Sequence, residues 1–479
     1  MPIVGAESQQ TGLDHSRGAN STIRPDAPST LLYSLTDLIR SNNGQAYTCP
    51  GESYQISRSV HLARLASGFA ECRTCPQNDA ARRSSLTTST NESIPAGSLV
   101  TSNGIRGTYL NEIDRSRATN WGAAFASLLW DEQPRVGRAT DASESPRATS
   151  LVDATIARPG PMVVIGFDER PSSPDIVMGI ALGLRRMGCQ VVDLGQTTGP
   201  CFRFASHHLD AAGGVFVTGA GCDPAWTGFQ FTGSGSIPWM QPEILRTMES
   251  RAKTTVVRPT RHAGTQRAFN AAVPYEAGLW KLFHALRPLR VACGSATRQL
   301  PKLLDQLFAR LPCQITHEIL PVRRRDLDDP SDADVQRVAI ATVQGEHHLG
   351  IVVDDDGERC AFVTDQGQLV SVAELLRLLT LFELHDHRSA RVVLDDRLDP
   401  QVGISLQSIN PACQVETMSV AELPSSLIHY NADLGLTADH RVWFGGAYPA
   451  CNAIQTLARV LQALSLSDAP MSELLQRAA

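Results

Sequence analysis

The chain has no apolar run long enough to cross a bilayer. Its longest stretches, such as 162–165 and 352–353, are strand-sized, against the ~20 residues a membrane helix needs. It also lacks an N-terminal basic segment followed by an apolar one; the first residues read MPIVGAESQQTGLDHSRGANS, so no secretory leader is expected. An excess of positive charge is missing too. A net charge of −6 and a pI near 6.1 argue against nucleic acid as the partner. The eleven cysteines are scattered and form no dense framework, which predicts reduced thiols in a cytoplasmic protein, some of them available for metal. No repeat of 20–50 residues is visible, which excludes a solenoid. What is left is an ordinary globular balance, 42% hydrophobic and 19% charged. At ~150 residues per domain, 479 residues predict about three domains.

Residues 1–30 are rich in Ser, Thr, Gly and Pro and predict disorder. A short helix is expected at 31–39 and a polar linker at 77–97. Beyond the linker, buried-type strands alternate with helical spacing. Strands are expected at 162–167, 190–194 and 214–218, with helices at 175–187 and 201–209. The pattern returns with strands at 289–292, 314–320, 350–353 and 391–394 and helices at 300–310 and 372–379. Such alternation is the signature of parallel-rich α/β sandwiches. Segments 233–238 and 322–334 break it and read as exposed loops.

Four stretches carry recognisable chemistry: TSNGIRG at 101–107, GFDERPSSP at 166–174, the strand, helix and loop of 191–231, and GIVVDDDGER at 350–359. A weaker fifth is LGLTADHRVWF at 434–444. In this order they resemble the phosphoglucomutase/phosphomannomutase family of α-D-phosphohexomutases, over roughly residues 97–470. The resemblance implies tandem α/β/α sandwich domains. The expected organisation is a disordered and metal-binding N-terminal segment (1–95), then domains I (96–272), II with the metal loop (273–372) and III (373–479). No loop like the family's C-terminal phosphate loop follows Phe444, so a fourth domain is not expected.

The resemblance also implies phosphoryl transfer through a phosphoserine beside Mg²⁺. Here the family's serine position is Ala220, and a methyl cannot carry phosphate. Gly221 stands for the adjacent histidine, and Gln230 for a lysine of the acid/base machinery. Glutamine has no useful proton to exchange at neutral pH. Thr218 and Cys222 remain as substitute nucleophiles at other steps of the loop. Asp354, Asp356 and Glu358 alternate, so in an extended turn they would share a hard cation. Asp355 replaces a glycine and is expected to strain a turn that favours φ > 0. By resemblance, Arg106, Arg170 and Arg359 bind phosphate, and His440 is the retained sugar contact, while Leu436 and Ala438 replace polar partners of the sugar. An acidic surface turn and structural ion pairs are the plain alternatives for these groups.

The N-terminal segment has a separate signal. Cys72 and Cys75 form a CxxC, Cys49 adds a third thiolate, and His61 in a helical stretch adds a fourth ligand. This is a Cys₃His set of the kind that holds structural Zn²⁺. An iron–sulfur cluster, a redox pair or unligated thiols stay open.

The expected function is a phosphohexomutase-like protein without mutase activity. It keeps a cleft for a phosphorylated sugar and a divalent metal, for binding or regulation. The alternatives are a working phosphomannomutase/phosphoglucomutase with altered catalytic residues, and a zinc-segment interaction module on a mutase-like platform.

Overall fold

The computed structural model describes residues 98–132, 160–386, 389–409 and 411–478 and, in the N-terminal stretch, only residues 47–48, 55–56, 60 and 64. The chain forms two units, residues 1–58 and 59–479. In the first, β1 (Tyr47–Thr48) pairs antiparallel with β2 (Gln55–Ile56). The expected helix at 31–39 and the linker at 77–97 lie outside the described residues.

The second unit is α/β, as the alternation predicts, and it uses one pattern three times. In the first instance α1 (Arg115–Glu132), β5 (Met162–Phe167), α2 (Ser173–Arg186), β6 (Gln190–Gln196), α3 (Gly199–His208), β7 (Gly213–Val217) and β8 (Trp226–Thr232) follow one another. β5 pairs in parallel with both β6 and β7, and β8 closes antiparallel on β7. β3 (Val100–Thr101), β4 (Gly104–Thr108) and β9 (Gln266–Ala268) complete a seven-stranded sheet.

The second sheet repeats the pattern with β10 (Arg290–Ser295), β11 (Gln314–Ile319), β12 (Leu349–Val353) and antiparallel β13 (Cys360–Thr364). The third repeats it with β14 (Arg391–Asp395), β15 (Gln414–Met418), β16 (Leu434–Leu436) and antiparallel β17 (Val442–Phe444), extended by β18 (Ala450–Cys451). In each, the second strand lies outside the first and the third lies inside it.

The local chemistry accounts for these elements. Strands buried on both faces read as continuous apolar runs; Val163, Val164 and Ile165 are all fully buried. Helix α2 starts with proline at its first turn, carries Asp175 there and ends on Arg185 and Arg186, which suits its dipole. Its buried Ile176, Ile180 and Leu184 recur every four residues, the period that keeps one helical face on a core. Trp121, Phe125, Phe229 and Phe231 pack together, mostly tilted, with ring centroids 5.0 to 6.4 Å apart, each burying ~150–250 Å². This core fixes β8, and with it the loop that precedes it.

Segment 322–334 is irregular but not wholly exposed, contrary to expectation: Arg325, Leu327 and Asp334 are buried. Leu327 joins a small core with Leu320 and Val338, and Arg325 turns inward to carboxylates. Segment 233–238 contains a 3₁₀ turn, Ser234–Ser236, and is pinned by Ser236 Oγ donating to the Arg203 carbonyl at 2.9 Å.

Candidate functional site

Because the three sheets share one topology, they present equivalent loops between the third strand and the antiparallel fourth. These are residues 218–225, 354–359 and 437–441. The repeat brings them together at one place. Arg359 and Arg441 form an isolated β-bridge between the second and third loops. Gly199, at the start of α3, donates its N–H to the Asp356 carbonyl at 2.9 Å. A Cβ at Gly199 would lie 2.7 Å from Glu358 Oε1, so glycine lets the helix start approach the loop.

The first loop is held from beneath. Asp168 Oδ2 accepts from Gly219 N at 3.1 Å, and Thr218 Oγ1 accepts from Ala220 N at 3.0 Å. Arg170 spends its fork on the same loop, donating to the carbonyls of Cys222, Asp223 and Trp226 and to Asp355 Oδ2 at 2.8 Å. The second loop turns at Gly357, whose φ is +77°. Asp355 is not among the positive-φ residues, so the expected strain at Asp355 is absent.

Four carboxylates in this turn, Asp354, Asp355, Asp356 and Glu358, are buried. Each has arginine partners. Arg325 Nη1 donates to Asp354 Oδ1 and Asp355 Oδ1, both at 2.9 Å. Arg203 Nε reaches Glu358 Oε1 at 2.8 Å, and Arg441 Nε reaches Oε2 at 3.3 Å. Arg441 also lies 3.6 Å from Asp356 Oδ2, and Arg359 Nη1 lies 3.2 Å from Asp354 Oδ2.

Burial disfavours charge on every member of the cluster, but Arg359 and Arg325 overcome it at Asp354, as Arg203 and Arg441 do at Glu358. Both acids stay below their usual range. Asp356 has weaker compensation, and burial with Glu358 beside it pushes its carboxyl up to about 7. Burial with Asp354 beside it raises Asp355 as well.

The geometry has counterparts among known proteins. Residues 145–255 match the alpha/beta/alpha domain I of phosphoglucomutase/phosphomannomutase. A phosphomannomutase/phosphoglucomutase from Pseudomonas aeruginosa is 25% identical over 247 residues, 50% of this chain and 52% of that protein. A phosphomannomutase from Salmonella typhimurium is 25% identical over 260 residues, 49% of this chain and 55% of its own. The crystal structure of a phosphoglucomutase/phosphomannomutase family protein from Burkholderia thailandensis superposes with a TM-score of 0.65 at 21% identity, covering 79% of this chain and 80% of that one. The chain has the fold of phosphoglucomutase/phosphomannomutase proteins, and its residues 145–255 are similar to their domain I. It spans about half the length of the curated relatives it matches.

Set against phosphohexomutase chemistry, the loops divide the expected residues. Ala220 is buried in the first loop. Thr218 is fully buried beneath it, and burial raises the Cys222 thiol despite Arg106 and Arg170 nearby. Arg106, on β4, is 4% exposed. Its Nη1 donates to the Ile105 and Phe229 carbonyls, while Nε and Nη2 have no hydrogen-bond partner; burial lowers its pKa. Arg170 serves the first loop's backbone and Asp355 instead of standing free for phosphate. Arg359 donates through Nε to the Asp439 carbonyl at 3.0 Å. His440 Nε2 lies 2.7 Å from Asp328 Oδ1, and Leu436 is buried in β16. Gln230 sits on β8 and lines a cavity of about 20 Å³ with Arg203, Trp239, Glu358, Arg441 and Trp443.

The Mg²⁺ implied by the resemblance does not fit the residues present. The alternation of Asp354, Asp356 and Glu358 was expected to gather three carboxylates on one ion. Instead the four carboxylates of the turn face five guanidinium groups, from Arg170, Arg203, Arg325, Arg359 and Arg441. Asp354 Oδ2 and Asp356 Oδ2 lack hydrogen bonds, yet each faces an arginine. Among the described residues, no three His, Cys, Asp or Glu side chains are arranged to hold a metal ion. Sequence motifs did not single out Arg203, Arg325 or Arg441. Only Arg203 carried a signal, a charge between Phe202 and Phe204 at a buried-type helix position; Arg325 and Arg441 lie in loops.

The zinc set Cys49, His61, Cys72 and Cys75 lies outside the described residues. The eight described cysteines are all free. No helix among the described residues is long and apolar enough to cross a membrane.

Proposed function

We propose that this protein binds a phosphorylated sugar in the phosphohexomutase manner but does not transfer the phosphoryl group. The observation that carries the reading is Ala220, seated in the first loop where the superfamily chemistry needs an oxygen nucleophile. Around it, Thr218 is buried under the loop and already accepts a hydrogen bond. Gln230 supplies no proton near neutral pH.

The anion side of recognition persists in Arg106. Its two unpartnered guanidinium nitrogens suit the oxygens of a phosphate, with which arginine makes charge-assisted, bidentate bonds. Arg359 lies beside the same loop, since a Cβ at Gly221 would stand 3.2 Å from its Nη1.

Two measurements test this reading on the full chain. Calorimetric titration with glucose 1-phosphate, glucose 6-phosphate and mannose 1-phosphate should show binding that weakens at least tenfold in Arg106→Met. A coupled assay should show no interconversion of the 1- and 6-phosphates, and mass spectrometry no phosphorylated residue in 218–223. Turnover at ~1 s⁻¹, an ordinary enzymatic rate, would establish an active mutase and direct attention to Cys222.

A further inference from the structure

We propose that Arg203, Arg325 and Arg441 take the place of a divalent cation: the protein's own guanidinium groups neutralise the acidic turn, so the site is set without metal. The inference concerns the turn itself and holds whether or not the protein binds a sugar phosphate.

The three arginines approach the turn from three directions. Arg203 comes from the helix that starts at Gly199, Arg325 from the irregular segment before the second sheet's third strand, and Arg441 from the third loop. All three are at least 95% buried. Each is also held from behind. The Arg203 guanidinium lies 5.3 Å from the Trp443 ring centroid, a cation–π distance. Arg325 Nε donates to Asp334 Oδ2 at 2.9 Å, and Arg441 pairs with Asp439. These anchors stop the side chains from swinging aside for an ion.

Donor chemistry points the same way. A hard cation such as Mg²⁺ needs oxygen lone pairs at about 2.0–2.1 Å in near-octahedral order, and it keeps several waters. Asp354 Oδ1, Asp355 Oδ1 and both oxygens of Glu358 already accept guanidinium N–H groups. Arginine cannot deprotonate to make room. The cavity that Arg203, Glu358 and Arg441 share has about 20 Å³, space for one water and not for a hydrated ion. Every carboxylate of the turn lies beside at least one guanidinium group, so a dication would have to displace an arginine to reach it.

The test uses the full chain, freed of bound metal with chelator and then transferred to chelator-free buffer. Mn²⁺ is titrated, with free ion read by electron paramagnetic resonance, and thermal unfolding is followed with and without millimolar Mg²⁺. The parent should deplete no Mn²⁺ and should unfold at the same temperature in both buffers, because only a ligand that binds the native state stabilises it. The double variant Arg203→Met/Arg441→Met should unfold at a lower temperature, regain much of that loss with Mg²⁺, and bind one Mn²⁺ per chain. Stoichiometric Mn²⁺ uptake by the parent that Asp356→Asn abolishes would overturn the proposal. A folded double variant with no uptake and no rescue would count against it equally. If the double variant does not fold, the parent titration decides alone.

Discussion

The pair Arg203–Glu358 gives the sharpest energetic test of the buried network. Glu358 accepts from Arg203 at 2.8 Å and from Arg441 at 3.3 Å, with all three side chains at most 5% exposed. Charge centres about 4 Å apart attract by ~4 kcal/mol at an effective dielectric of 20. Two partners therefore give a gross attraction of roughly 8 kcal/mol, and the desolvation of three charges offsets much of it.

Removing one member leaves the others buried and undercompensated, which costs about 3–5 kcal/mol. Glu358→Gln and Arg203→Met are each expected to lose about that much, a large share of the ~5–15 kcal/mol that holds a typical domain together. The double variant loses both charges of the pair, so its loss should fall short of the sum by about 2 kcal/mol or more. Urea unfolding of the four proteins, followed by circular dichroism in metal-free buffer, measures this coupling. Losses that add to within ~0.5 kcal/mol, as for independent sites, or a Glu358→Gln loss under 1 kcal/mol, would refute the reasoning.

Three further outcomes are expected. Ala220→Ser should restore no mutase turnover and acquire no phosphate, because Gly221, Gln230 and Leu436 leave proton transfer and sugar contacts unrepaired, and groups that act as a unit are not rescued singly; a coupled assay and intact mass check this. Burial opposes charge at Asp439, but Arg441 and Arg359 hold its carboxyl down to about 2 from 3.8; at 1.36 kcal/mol per unit, and with the side chain a quarter exposed, it contributes about 2 kcal/mol. Because the folded pKa is depressed, this contribution is present above pH ~4 and fades toward pH ~2, so the gap between parent and Asp439→Asn in urea should be constant from neutral pH to about 5 and narrow below 4. Finally, zinc analysis of protein purified without chelator should find about one ion per chain, lowered by Cys72→Ser, as a Cys₃His set predicts; its absence would remove that reading.

The sequence by itself determined the α/β class. Strands such as Met162–Phe167 and Gln314–Ile319 fall within a residue of their expected places, because a buried strand and an amphipathic helix write their periods locally. It also showed that Ala220 and Gly221 in the first loop carry no nucleophilic oxygen and that Gln230 on β8 carries no titratable proton, atoms that no fold can supply. Tertiary structure alone decided what the acidic turn does. Asp354, Asp356 and Glu358 have the spacing of cation ligands, and nothing within the loop says otherwise. Their arginines lie far away along the chain, Arg203 155 residues from Glu358 and Arg441 83 residues. Only the threefold repeat of one sheet topology, which stacks three equivalent loops, brings them within hydrogen-bond reach. Arg170 shows the same limit: its motif suggested phosphate, yet the fold turns its donors onto carbonyls of the first loop and Asp355. A charge's role is set by its nearest opposite charge and its burial, and neither quantity is local in sequence.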